Sequence, residues 1–203
     1  MVTTTSHVKL DADDQAILLD LVRRSVTLGL LAEPPLEPMV EYHSPALRRW
    51  RSSFVTLRQD GKIVGRAGTV QPTAALVSDV CKNAHAVAYH CNLPLSPSPL
   101  MAQVCLVSEL KHLKAKSFED VCERIAIGEH GALLQHTNGA GTLTPDHWHQ
   151  CNDTAEFTRQ LCARAGVCPV AWQSDAQLLV YRVESLPEMQ ITPYQTRRPD
   201  KPR

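Results

Sequence analysis

Four short stretches of this sequence have residue types and spacings that could do chemistry. The run His147-Trp-His-Gln-Cys151 places two imidazoles and a thiol within five residues, and these are zinc-holding donor types. On a strand, His147, His149 and Cys151 would share one face; on a helix only His147 and Cys151 would. The Thr144-Pro145 start favours a helix, which leaves two ligands and needs others from elsewhere. Two solvated histidines and a packed cysteine are the preferred reading, with zinc the alternative. Cys81 and His85 lie four apart on a predicted helix, so they face the same way. A cysteine beside an imidazolium can be an activated thiolate. Cys81 also borders the apolar stripe of Val77, Val80 and Ala84. A core cysteine near a surface histidine is therefore preferred, and the pair is the fallback for a catalytic nucleophile.

The third stretch is Gly65-Arg66-Ala67-Gly68. Its glycines let a backbone come close to something, and Ala67 adds no bulk. Arg66 stays cationic and accepts no proton, so it cannot be a base. It can clamp a carboxylate or phosphate through two N–H bonds. The competing reading pairs Arg66 with an acidic neighbour or extends it into solvent. His147 is a further ligand-binding candidate. The fourth stretch, Arg48-Arg-Trp-Arg51, flanks a ring with guanidinium groups, as some nucleic-acid surfaces do. It is read as a solvated turn before the first strand, with Trp50 packed inward.

Composition narrows the classes. The 203 residues carry 21 Lys plus Arg against 21 Asp plus Glu, so the net charge is zero. No general basic field is present to hold a polyanion, which argues against nucleic acid as the main partner. A hydrophobic content of 43% with 21% charged residues excludes wholesale disorder. The opening residues show neither a basic stretch nor an apolar one, so no signal peptide is expected. The longest stretch without Asp, Glu, Lys or Arg, 83–108, holds Pro94, Pro97 and Pro99 and does not read as a membrane span. Seven cysteines, an odd number without CxxC, argue for free thiols, mostly buried, in a reducing cytoplasm. No Walker A, GxGxxG, HExxH or GxSxG pattern is present, and no cofactor is assigned.

The elements that must position these residues are legible. Asp11 caps a helix with Ile17, Leu18, Leu21, Val22 and Leu28 at helical spacing. Residues 53–57 and 62–70 form a hairpin around Asp60-Gly61. Pro72 suits the first position of a helix running to Cys91, followed by a Pro/Ser loop over 92–99. A strand is predicted over 102–110, a helix capped by Ser117, a strand over 131–136 and a turn over 137–141. A helix capped by Asp153 stops at Gly166, and a last strand covers 177–183. Strands come in antiparallel-looking pairs, which favours an α+β fold. The expected organisation is a disordered 1–10, a domain over 11–191 and a Pro/Arg-rich tail over 192–203.

Phe54-Val-Thr-Leu57, Asp60-Gly61 and Ile63-Val-Gly-Arg-Ala-Gly-Thr69 are followed in order by Gly128-Glu-His-Gly131, Thr142-Leu-Thr-Pro145, Ala155-Glu-Phe157, Ala165-Gly-Val167 and Trp172. This succession resembles the AMMECR domain family, whose prokaryotic members are called AmmeMemoRadiSam system protein A. The resemblance implies an antiparallel main sheet flanked by helices, with a smaller interlinked sub-domain. It also implies Memo-like or radical-SAM partner proteins. The family pattern L-R-G-C-I-G reads Ile63-Val-Gly-Arg-Ala-Gly68 here, so Arg66 stands at the cysteine position. An Asp-x-Arg-Phe pattern, expected near 91–95, reads Cys-Asn-Leu-Pro-Leu. Leu-Pro-Gln-Val becomes Thr144-Pro-Asp-His147. The expectation is a module that binds a partner protein or a small anion, without thiol catalysis at that loop. The alternative is an enzyme working with those partners.

Overall fold

The computed structural model describes residues 10–91, 97–115, 117–137, 139–169 and 176–191. Residues 1–9, 92–96, 170–175 (Trp172 among them) and 192–203, on which some of these expectations fall, lie outside them. In chain order the elements are α1 (Ala12–Leu31), α2 (Pro45–Arg48), β1 (Ser53–Gln59), β2 (Lys62–Gly68), α3 (Leu76–His90) and β3 (Leu100–Val107). Then come β4 (Lys111–His112), α4 (Phe118–Arg124), β5 (Gly131–His136), β6 (Gly139–Leu143) and α5 (Thr154–Ala165). The strands β7 (Gln177–Tyr181), β8 (Val183–Ser185) and β9 (Met189–Ile191) close the chain. The fold is α+β with antiparallel sheets.

The chain falls into two compact units. The first holds the residues up to Leu106 and those from Glu184 onward; the second is Val107–Val183. In the first, Asp11 accepts the Asp14 N–H at 2.7 Å and opens α1, as its sequence position predicts. Asp60 and Gly61, at φ 53° and 72°, supply the positive pair that a two-residue hairpin needs. The sheet order is β2-β1-β3-β8, with β9 also on β3. The helix α3 covers one sheet face and α1 packs on α3. Leu18, Val22 and Val26 meet Val77, Val80 and Ala84, with Val55, Leu57, Ala102 and Val104 beneath. Leu10 is already buried in this core. A Cβ on Gly29 would lie 2.5 Å from the His85 carbonyl oxygen, so the α1–α3 crossing leaves no space for a side chain there.

In the second unit the sheet order is β4-β7-β5-β6. Ser117 and Asp153 cap α4 and α5 by accepting the N–H groups of Asp120 and Glu156, as predicted, and Gly166 ends α5 at φ 68°. The core joins Val121, Leu134, Leu143, Phe157, Leu161 and Leu178. Trp148 stacks on Phe157 at 3.9 Å and donates its indole N–H to the His130 carbonyl.

Some expectations need correction. The helix α3 begins at Leu76 rather than Pro72, because Ala75 is extended and forms an isolated bridge with Trp50. That bridge also turns the Trp50 ring outward, where it is 70% exposed, not packed inward. Its neighbour Arg51 pairs with Glu184 at 3.2 Å. The segment after Thr144-Pro145 is helical, as expected, but with 3-10 pitch (Pro145–Gln150), so the shared face of His147 and Cys151 expected on an α-helix is not formed. The expectation that most cysteines are buried holds for Cys81, Cys91 and Cys162 only. Cys105, Cys122 and Cys151 are half-buried and Cys168 is exposed; all seven are free. No helix among the described residues is long and apolar enough to cross a membrane.

Candidate functional site

The register of the first sheet decides what its two faces carry. Val55 pairs with Ala67 and Val104, and Leu57 with Gly65 and Ala102, so these residues face α3. Between them, Thr56 pairs with Arg66 on one side and Gln103 on the other. Alternation along a strand therefore sets Arg66, Thr56 and Gln103 in one row on the opposite face. The Arg66 Nε–H donates to Thr56 Oγ1 at 3.0 Å, and the Arg66 side chain is exposed. Arg58 donates to Gln103 Oε1 at 2.9 Å and lies 3.7 Å from Glu188. One row along, Cys105 opposes Phe54, and its thiol meets the Ser185 hydroxyl at 3.4 Å. That thiol was not singled out from sequence, since nothing in its spacing marks it.

The glycines around Arg66 have structural causes. A Cβ on Gly65 would come within 2.8 Å of Val87 Cγ2 on α3. Gly68, at φ 149°, sits where a Cβ would be 2.2 Å from the Ser53 carbonyl oxygen. The close approach expected from Gly65 and Gly68 is present, and what approaches is this chain's own helix and strand. Ala67 faces the core between them.

Cys81 and His85 are on α3 as expected, but their surroundings differ. Cys81 is fully buried in the core, and that burial pushes its thiol up, the attraction of Arg24 not offsetting it. An activated nucleophile needs the opposite shift. The His85 Nε2 meets the Glu33 carbonyl at 2.8 Å, so it carries the proton, and the ring stacks against Tyr89 at 5.9 Å. Cys162 is the extreme case, pushed to about 11 by burial in the second core. Alkylation of the native protein by iodoacetamide, followed by mass spectrometry, is expected to modify Cys168 first and Cys81 and Cys162 far more slowly. Early modification of Cys81 would overturn the assignment of an inert core thiol.

Beside them lies Asp79, which no spacing pattern marks as functional. Asp79 Oδ2 accepts from the Ser53 N–H at 2.8 Å, the Ser53 hydroxyl at 2.7 Å and Asn83 Nδ2 at 2.9 Å. Asn83 also donates to the Ser53 carbonyl at 3.1 Å. Burial raises the Asp79 carboxyl above its usual range, against the pull of these bonds. This network fixes the first residue of β1, three positions before Thr56. Its sequence signal is an Asp and an Asn four apart on the buried stripe of a helix.

In the second unit the 3-10 geometry settles how the His147, His149 and Cys151 side chains spread. At three residues per turn, positions two apart point about 120° from one another. Among the described residues no three His, Cys, Asp or Glu side chains are grouped to hold a metal ion. His147 is instead held in a chain of hydrogen bonds. Arg164 Nη2 donates to His147 Nε2 at 2.9 Å, and His147 Nδ1 meets Thr144 Oγ1 at 3.2 Å. The Thr144 hydroxyl donates to the Asp146 carboxylate. His149 is exposed and Cys151 half-buried. His130 accepts the Ala126 N–H on Nδ1 at 3.1 Å, and burial with nearby Arg182 lowers its pKa.

Comparison with known proteins agrees with this architecture. The chain is similar to Protein Mbar_A1807 of Methanosarcina barkeri, 27% identical over 143 residues, covering 66% of this chain and 69% of that one. It is also similar to Protein MK0488 of Methanopyrus kandleri, 24% identical over 194 residues and covering 89% and 91% of the two chains. The crystal structure of Uncharacterized Protein PH0010 from Pyrococcus horikoshii shares the fold. Its TM-score is 0.71 at 22% identity, covering 88% of this chain and 96% of that one. The AMMECR1 family model matches residues 19–186, from within α1 to just past β8. With the second unit, most of the first and the Gly65–Gly68 stretch of β2 inside that match, this chain belongs to the AMMECR1 family.

Proposed function

We propose that this AMMECR1-family chain is a binding module whose first unit offers Arg66 to an oxyanion. That group is a carboxylate or phosphate, on a small molecule or on the surface of a partner protein. The observation that carries the reading is the Arg66–Thr56 hydrogen bond on the sheet face away from α3. One N–H of the guanidinium is anchored to a buried threonine, so the head group is oriented rather than sweeping through solvent. An oriented fork loses less entropy on binding and matches two oxygens at once. Arg58 lies on the same face but is committed to Glu188 at 3.7 Å and to Gln103 at 2.9 Å. Arg66 supplies no nucleophile, so the module holds its ligand without thiol chemistry at this strand.

The test is equilibrium binding of a panel of small carboxylates and inorganic phosphate to the wild type, Arg66→Ala and Arg66→Lys. Arg66→Ala is expected to weaken binding roughly tenfold or more, with Lys in between, since a charge-assisted hydrogen bond contributes about 1.5–3 kcal/mol. Equal affinities for all three proteins, or no binding by any, would remove Arg66 from the reading. The rival reading is an enzyme acting with Memo-like or radical-SAM partners. It calls for one cysteine of accelerated reactivity near neutral pH, and the alkylation profile described above tests for it.

A further inference from the structure

His147 and Arg164 are joined by an unusual pairing. A guanidinium has no acceptor, so the 2.9 Å contact requires a lone pair on His147 Nε2. The one hydroxyl proton of Thr144 goes to Asp146, so Thr144 Oγ1 accepts from His147 Nδ1–H. Donation therefore runs in one direction, from Arg164 to His147, to Thr144 and to Asp146, and the imidazole between them is neutral. A neutral imidazole is a poor partner for a permanent cation that can hold an oxyanion with two parallel bonds. The Arg164 head group is exposed, and its other contact, Nη1 to the Thr142 carbonyl, is long at 3.3 Å.

We propose that Arg164 and His147 form an oxyanion site in the second unit that takes up one proton when it is filled. An oxyanion at Arg164 would face the Nε2 lone pair and be repelled by it. Protonation converts Nε2 into a donor to that same oxyanion. The Asp146 carboxylate, reached through Thr144 from the opposite side of the ring, stabilises the imidazolium. The balance is one oxyanion and one proton bound per site, with no bond broken. Among the described residues, the charged groups joined to His147, directly or through Thr144, are Arg164 from α5 and Asp146 from its own turn. The strand β6 has no ionisable side chain, and β5 has only His136, at the end away from Thr144. This site is independent of Arg66.

The experiment titrates sulfate, which does not itself change protonation, into the 203-residue chain carrying Arg66→Ala. Sulfate is expected to bind, and to bind more tightly as the pH falls, by up to roughly tenfold per unit wherever binding takes up one proton. Arg164→Ala should weaken binding roughly tenfold or more, and Arg164→Lys, which keeps the charge and the fold, should weaken it less. His147→Gln should still bind sulfate but with no dependence on pH. Absence of binding, affinity unchanged by Arg164→Ala, or a pH dependence that survives His147→Gln would each overturn the proposal.

Discussion

Asp79→Ala is expected to lower the free energy of unfolding by about 3 kcal/mol, while Asp79→Asn stays within about 1 kcal/mol of the parent. The difference lies in what each variant leaves behind. Asp79 Oδ2 is the common acceptor for the Ser53 N–H, the Ser53 hydroxyl and Asn83. Ser53, Asp79 and Asn83 are all buried, so alanine strands several donors where water does not replace the lost oxygen. Asparagine can place its carbonyl oxygen at the same point and accept all three while carrying no charge. Urea unfolding followed by circular dichroism measures both. An alanine variant as stable as the asparagine one would show that the network contributes nothing.

The same carboxyl gives a pH signature. Its folded pKa is raised, chiefly by burial, above the usual 3.8. The folded state therefore holds the proton over a window just above that value, in which the unfolded chain has released it. Stability from this group is fully present below the window and falls as pH rises through it. Asp79→Asn should remove this falling component. The consequence reaches the Arg66 face, because Ser53 starts the strand on which Thr56 holds the guanidinium. Loosening the strand end would free the Arg66 head before it unfolds the protein.

How much of this was legible beforehand depended on how local each cause is. Asp11, Ser117 and Asp153 act within three residues, and all three cap helices as their positions suggest. Asp60-Gly61 acts within two. The start of α3 departs from the expected Pro72 because Ala75 answers to Trp50, 25 residues earlier. The strands β4, β8 and β9 have two or three residues each, too few for a period to show. At the candidate site, Arg66 was visible as a residue type, but its anchor Thr56 required the β1–β2 register. The Asp79 network was hidden for the same reason, since Ser53 lies 26 residues away. Thr144-Pro145 marks the helical start under His147 but does not specify its pitch, which is 3-10.

The second large effect concerns the glycine that closes the Arg66 strand. Gly68→Ala is expected to destabilise the protein by about 3 kcal/mol or more, and Gly65→Ala by about 1–2 kcal/mol. The two positions look equivalent in sequence and differ in what a methyl group would strike. At Gly65 the nearest atom is the end of the Val87 side chain, at 2.8 Å, and Val87 can yield by shifting within the core. At Gly68 the methyl would sit 2.2 Å from the backbone oxygen of Ser53 and 2.6 Å from the Phe54 ring. Backbone in a paired strand has nowhere to move. The φ of 149° adds a second cost, because a residue with a Cβ rarely adopts it. Both terms act on the pairing of Gly68 with Phe54, two residues from the Arg66–Thr56 pair. Gly68→Ala should therefore weaken oxyanion binding at Arg66 along with stability, whereas Gly65→Ala should lower stability and leave binding nearly intact. Thermal unfolding and the binding panel, run on both variants, measure this. Equal losses at the two positions would mean that the strand end relaxes freely and that glycine is not required there.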